Sequence, residues 1–136
     1  MENRNKILIV DDDSDIREFL SYNLGRECYE VHCAANGIEA IQKAGQTNPD
    51  LILLDIMMPG ADGIEVCQQL RELPEMNRVI IVFLTARSED YSQIAGFDAG
   101  ADDYITKPVK PKIIVKKIES LLRHHNRLLN DLKKPE

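Results

Sequence analysis

Three short runs, KILIV at 6–10, LILL at 51–54 and VIIVFL at 79–84, are apolar at nearly every position. A strand with one face in water alternates apolar and polar residues. An unbroken run of four to six suits a strand covered on both faces, as in a parallel sheet flanked by helices. Such runs demand helical cover, and the segments between them supply it.

Ile16, Phe19, Leu20 and Leu24 fall on one helical stripe, with Ser14 as the expected N-cap. Ile38, Ala40, Ile41 and Ala44 form a second, weaker stripe. Asp62 with Glu65 three residues on reads as a capping box, opening a helix that buries Ile64, Cys67 and Leu70. A fourth helix is expected from Ser88, with Gly96 in its interior and Gly100 at its end. Pro111 suits the first turn of a fifth, whose apolar face is Ile114, Ile118, Leu121 and Leu122. YEVHCAA at 29–35 alternates, with Val31 and Cys33 opposite His32, which fits an edge strand; DYITK at 103–107 is the fifth strand. Strand and helix thus alternate about five times. The expected fold is α/β: a doubly wound, five-stranded parallel sheet of order 2-1-3-4-5, flavodoxin-like, with helices on both faces.

The 136 residues make one domain, large enough to bury a core without disulfide or metal support. A net charge of −6 argues against nucleic-acid binding by this chain alone, because phosphate contacts need a basic surface. The basic residues gather in the last stretch, including Lys110, Lys112, Lys116, Lys117, Arg123 and Arg127, and read as a solvated helix face. Cys28, Cys33 and Cys67 show no CxxC spacing and read as reduced thiols. With no apolar run of membrane-spanning length and no signal-peptide pattern, the expectation is a cytoplasmic protein with no membrane partner.

Ligands of such sheets sit beyond the carboxyl ends of the strands, at the switch point between strands 1 and 3. Strand 1 runs into Asp11, Asp12 and Asp13, strand 3 into Asp55, strand 4 into Thr85 and strand 5 into Lys107. Two carboxylates about 4 Å apart repel by roughly 4 kcal/mol at an effective dielectric of about 20, so a cluster of them calls for a cation. The Lys107 ammonium is one, but a point charge cannot organise several oxygen groups. A hard divalent ion can, and Mg²⁺ favours a few carboxylates, a carbonyl and several waters. Asp12 and Asp55 are the expected ligands, with the Met57 backbone carbonyl, Asp11 nearby or acting through water, and Mn²⁺ as a substitute ion. Asp13 is expected to point away or to help the helix start. Metal, ammonium and hydroxyl together suit a phosphoryl group: Thr85 and Lys107 would contact its oxygens, and Asp55 is the available nucleophile.

ILIVDDDSD, PDLILLDIMMPGADG, VFLTA and GADDYITKP, in this order and spacing, resemble the receiver domain of bacterial two-component response regulators from Lys6 to about Arg123. The resemblance implies that Asp55 is the phospho-acceptor, charged from a histidine on a sensor kinase. It implies that Asp11 and Asp12 are the acidic pair and that Asp12, Asp55 and the Met57 carbonyl bind Mg²⁺. Thr85 and Lys107 would hold the phosphoryl group, and Tyr104, with Thr85, would be the switch. A cis peptide is implied at Lys107–Pro108. Met57 and Arg87, each two residues past a site residue, would tune the lifetime of the acyl phosphate. None of His32, His124 and His125 reads as a phosphohistidine donor.

GADDYITKP further resembles the branch of transcription factors whose receivers precede a winged-helix DNA-binding domain. That implies a homodimer through the fourth helix, fifth strand and fifth helix, with Asp98, Asp102, Asp103 and Lys117 on the face. Glu119 and His124 stand where that branch usually carries bases. The expected organisation is a receiver over residues 1–125 and a helical extension or linker over 126–136, leading to an effector domain that would supply any DNA contact. A stand-alone receiver acting by protein contact is the alternative. A phosphatase of the haloacid dehalogenase type would also place a second Asp two residues after its nucleophile, as Asp13 follows Asp11, but its cap and substrate loops exceed this length. A flavodoxin-like cofactor binder would need a glycine- and hydroxyl-rich loop where this chain has DDDSD.

Overall fold

The computed structural model describes residues 4–58, 60–86 and 98–133. Along the chain come β1 (Lys6–Val10), α1 (Ser14–Gly25), β2 (Glu30–Ala34), α2 (Gly37–Thr47) and β3 (Leu51–Asp55). After a two-residue hairpin, Met57–Met58 against Ala61–Asp62, follow α3 (Gly63–Arg71), a 3-10 turn at Pro74–Met76 and β4 (Ile80–Thr85). Last come β5 (Asp103–Thr106) and a C-terminal helix, Pro111–Lys133. The five strands pair in the order β2-β1-β3-β4-β5, every neighbour parallel.

The unbroken apolar runs are explained by cover on both sides. Leu8 and Val10 of β1, Ile52 and Leu54 of β3, and Ile81 and Phe83 of β4 meet Ala40 and Ala44 of α2 and Val66, Cys67 and Leu70 of α3. The alternate residues, Ile7, Ile9, Leu51, Leu53, Val82 and Leu84, meet Leu20 and Leu24 of α1 and Ile114, Ile118 and Leu122 of the C-terminal helix. Period-two geometry sends neighbours to opposite layers, so each position in a central strand must be apolar. β2 is half-buried until Ala34, and its Val31 and Cys33 pack on the second layer, as an edge strand requires.

Several local readings move by a residue or a turn. The N-cap of α1 is Asp13, whose Oδ1 accepts the Asp15 N–H at 2.9 Å; Ser14 is the first helical residue. Phe19 is 37% exposed and Ile38, in the first turn of α2, is 75% exposed, so neither is a core anchor. The capping box lies at Asn36 and Glu39: Asn36 Oδ1 accepts the Glu39 N–H at 2.9 Å, and Glu39 accepts the Ala35 N–H at 3.3 Å. Asp62 caps α3 through the Ile64 N–H. Arg87 and the helix expected from Ser88, Gly96 included, lie outside the described residues up to position 97; Asp98 is helical, and Gly100, expected at the end of that helix, adopts φ +106°. The C-terminal helix runs unbroken through position 126 to Lys133.

Candidate functional site

Three strand ends meet at one rim. β1 delivers Asp11 and Asp12, β3 ends on Asp55, and β4 ends on Thr85. The pairing of β5 with β4 sets Thr106 beside Thr85 and places Lys107 one residue beyond, with the Lys107 N–H donating to the Thr85 carbonyl at 2.7 Å. The Lys107–Pro108 peptide is cis. Carboxylate oxygens of Asp11, Asp12 and Asp55 all lie within 4.8 Å of one another; Asp11 and Asp55 are buried and Asp12 is exposed.

The environments of the three acids differ. Asp11 has each oxygen engaged by a protein group: Oδ1 accepts the Asp13 N–H at 3.0 Å and Oδ2 the Lys107 ammonium at 3.0 Å. Its carbonyl accepts from Arg17 Nη1 at 2.7 Å, a contact that sequence reading did not foresee. Asp55 has less: Oδ1 accepts the Met57 N–H at 3.2 Å and faces Lys107 Nζ at 3.5 Å. Burial, then the charge of Asp11, push the Asp55 carboxyl up to about 6, against the pull of Lys107 and the Met57 N–H. For Lys107, burial opposes the charge, but the hydrogen bond to Asp11 and the charges of Asp55 and Asp11 outweigh it and hold the ammonium above its ordinary 10.5. One ammonium therefore serves two buried carboxylates, and Asp55 is left short of positive charge.

That shortfall is the fit test for a cation. Asp12 offers an exposed carboxylate and Asp55 an undercompensated one, a hard-oxygen donor set that suits Mg²⁺. Asp11, with both oxygens engaged, fits a place beside the ion. Met57 projects its side chain to solvent, 79% exposed, while its backbone turns at the start of the hairpin.

The turn after Asp55 explains IMMPGADG. The Ile56 N–H donates to the Leu84 carbonyl at 3.1 Å and its carbonyl accepts from Gly63 at 2.7 Å, so β3 is followed at once by the hairpin and the start of α3. Gly60 adopts φ +76° in the hairpin. A Cβ on Gly63 would lie 2.7 Å from the Ile56 Cα and collide with the Asp55 carbonyl oxygen. Nothing in the hydrophobic pattern flags this glycine; its only signal is its place one residue after a cap.

The expected switch and face residues cluster at the neighbouring edge. Tyr104 is half-buried against the first core layer, with Lys117 Nζ 5.9 Å from its ring centroid. Lys117 also pairs with Asp103 at 3.4 Å. Asp102 pairs with Arg71 of α3 at 2.9 Å, and Asp98 is exposed. A cavity of about 590 Å³ is lined by β5, the segment after it and the C-terminal helix, with Tyr104, Lys107, Ile113 and Lys117 among the lining residues.

A family model described as response regulator receiver domain matches residues 7–119. The transcriptional regulatory protein ResD of Bacillus subtilis (strain 168) is 50% identical over 121 residues, 89% of this chain and 49% of that protein. The alkaline phosphatase synthesis transcriptional regulatory protein PhoP of the same organism is 46% identical over 118 residues, 87% of this chain and 48% of that one. The chain thus spans about half the length of these relatives. A CheY-like receiver domain protein from Methanospirillum hungatei JF-1 superposes with a TM-score of 0.86 at 31% identity, covering 92% of this chain and 98% of that one.

Proposed function

The chain belongs to the response regulator receiver family, and from that premise we propose that Asp55 accepts a phosphoryl group from a histidine of a sensor kinase in a Mg²⁺-dependent reaction. The observation that carries this reading is the shared ammonium: Lys107 Nζ lies 3.0 Å from Asp11 and 3.5 Å from Asp55 at the meeting of three strand ends. An Asp55 oxygen attacks phosphorus, the N–P bond breaks, and the electron pair stays on the donor imidazole. Lys107 and the Thr85 hydroxyl stabilise the equatorial oxygens. Asp12, Asp55 and the Met57 carbonyl would hold Mg²⁺, with Asp11 beside it; when bound, it would supply positive charge against that of the phosphoryl oxygens. The kinase meets the chain in the cytoplasm, and the domain acts as a self-phosphorylating and self-clearing switch.

Once on Asp55, the phosphoryl group draws Thr85 toward it and biases Tyr104 and the adjoining face between two states. Asp98, Asp103 and Lys117 stand on that face, with Asp102 at its border. The face pairs two copies of the chain and passes the signal through residues 126–136 to a DNA-binding domain of the winged-helix type, the receiver itself occupying 1–125. The Lys117–Asp103 contact within the chain would be exchanged for contacts between chains. The named function of ResD and PhoP as transcriptional regulatory proteins supports this output.

The test is mass spectrometry after incubation with Mg²⁺ and a small acyl or amido phosphate. A gain of one phosphate, absent in Asp55→Asn, is expected. A gain that persists in Asp55→Asn removes the assigned acceptor, and no gain in the unmodified chain removes the reading.

A further inference from the structure

At the end of the sheet opposite the acidic rim, two aspartates make the same closed ring. Asp50, the residue before β3, donates its backbone N–H to the Lys6 carbonyl at 2.8 Å and accepts the Lys6 N–H on Oδ2 at 2.7 Å. Asp102, the residue before β5, donates its N–H to the Ile81 carbonyl at 2.8 Å and accepts the Ile81 N–H on Oδ2 at 2.9 Å. Each carboxylate replaces the backbone acceptor that a ladder lacks where it begins, and a charged acceptor makes the stronger bond. The first ring ties β3 to β1 and the second ties β5 to β4. The Asp50 carbonyl also accepts the Ile80 N–H at 3.0 Å, so this residue touches both neighbours of β3.

The second ring is braced. Arg71 Nη2 donates to Asp102 Oδ2 at 2.9 Å, while Nε reaches the Gly100 carbonyl at 2.9 Å. Nη1 donates to the carbonyls of Met76 at 2.9 Å and Val79 at 2.7 Å. One guanidinium thus holds the end of α3, the approach to β4 and the approach to β5 in one arrangement.

The spacing links these rings to the chemistry. Asp55 stands five residues after Asp50, and Lys107 five residues after Asp102. At about 3.3 Å per residue, Asp55 at the end of β3 and Lys107 just past the end of β5 each lie about 16 Å downstream of their ring. A slip of one residue would carry that group about 3.3 Å and turn it to the other face. We propose that Asp50 and Asp102 are positioning residues for phosphoryl transfer, their rings fixing the strand registers that bring Asp55 and Lys107 together. This rests on the phosphoryl-transfer reading above. It gives Asp102 a role inside the domain beyond its place at the edge of the output face.

The test measures the rate at which Mg²⁺ and a small phosphoramidate label Asp55, by mass, in Asp50→Ala, Asp102→Ala, Asp50→Asn and Asp102→Asn. Hydrogen exchange at the Lys6 and Ile81 amides, read on the same samples, reports whether each ring has opened. The alanine variants should label about tenfold more slowly, the scale expected for a small misplacement of a reacting group. The asparagine variants keep an acceptor oxygen and should recover most of the rate. The Asp102→Ala defect should vanish in a Lys107→Ala background, because it acts through Lys107, whereas the Asp50→Ala defect should remain there. A general loss of folding would instead add to Lys107→Ala in full, and that result overturns the proposal. So does an unchanged rate in Asp102→Ala whose Ile81 amide exchanges freely. Absence of labelling in the unmodified chain overturns the functional reading, and this inference with it.

Discussion

Asp55→Asn should stabilise the metal-free protein at neutral pH, although it removes the proposed phospho-acceptor. The carboxyl, ordinarily near 3.8, is pushed up to about 6 by burial and by Asp11. Its folded value lies above its unfolded one, so its favourable contribution is complete below pH 3.8 and is lost as pH rises through about 6. At about 1.36 kcal/mol per pH unit, that gap costs the folded state about 3 kcal/mol once both forms are ionised. The side chain of Asp55 is only 8% exposed, so solvent does little to screen the cost. Asparagine mimics the protonated acid and still accepts from the Met57 N–H. Urea unfolding in EDTA should therefore show Asp55→Asn more stable by about 2 to 3 kcal/mol near pH 7.5, with the two proteins converging toward pH 4. Equal stabilities near neutrality, or a gain that persists into acid, would refute the charge balance assigned to this rim.

The same rim and its neighbouring turns set three further outcomes. Mg²⁺ at about 100 times its dissociation constant should raise the unfolding free energy of the unmodified chain by about 2.7 kcal/mol, and Asp12→Asn should lose most of that gain in parallel melts. Gly63→Ala should cost more than about 2 kcal/mol in denaturant titration, because its Cβ would meet backbone atoms of Asp55 and Ile56 rather than a yielding side chain. Cys28 holds φ +66° at an exposed position, and Cys28→Gly should raise the urea midpoint by an amount equivalent to about 0.5 kcal/mol.

The sheet was legible because its central strands are covered twice, and a double cover leaves no freedom for polar positions. The rim was legible for a related reason: Asp11, Asp55 and Thr85 are the first polar residues after apolar runs, so strand ends locate them, and Lys107 follows the short fifth strand. Features set by tertiary contact were not legible. Ile38 carries the helical spacing of a core residue, but α2 begins beneath it and turns its first face outward. The hairpin at 57–62 is too short to show alternation. Gly63 is fixed by a backbone approach that no periodicity encodes. Arg71 spans 31 residues to Asp102, and Asp50 spans 44 to Lys6, distances over which an acid before a strand reads only as a turn.

The Lys107–Asp11 bond joins residues 96 apart in the chain. During synthesis, β1 to β4 leave the ribosome as an acidic rim whose ammonium has yet to be made. Until β5 docks, the rim lacks the ammonium that Asp11 and Asp55 share, so the clamp proposed for a phosphoryl group is incomplete. Under the proposed phosphoryl transfer, competence would arrive only with completion of the sheet.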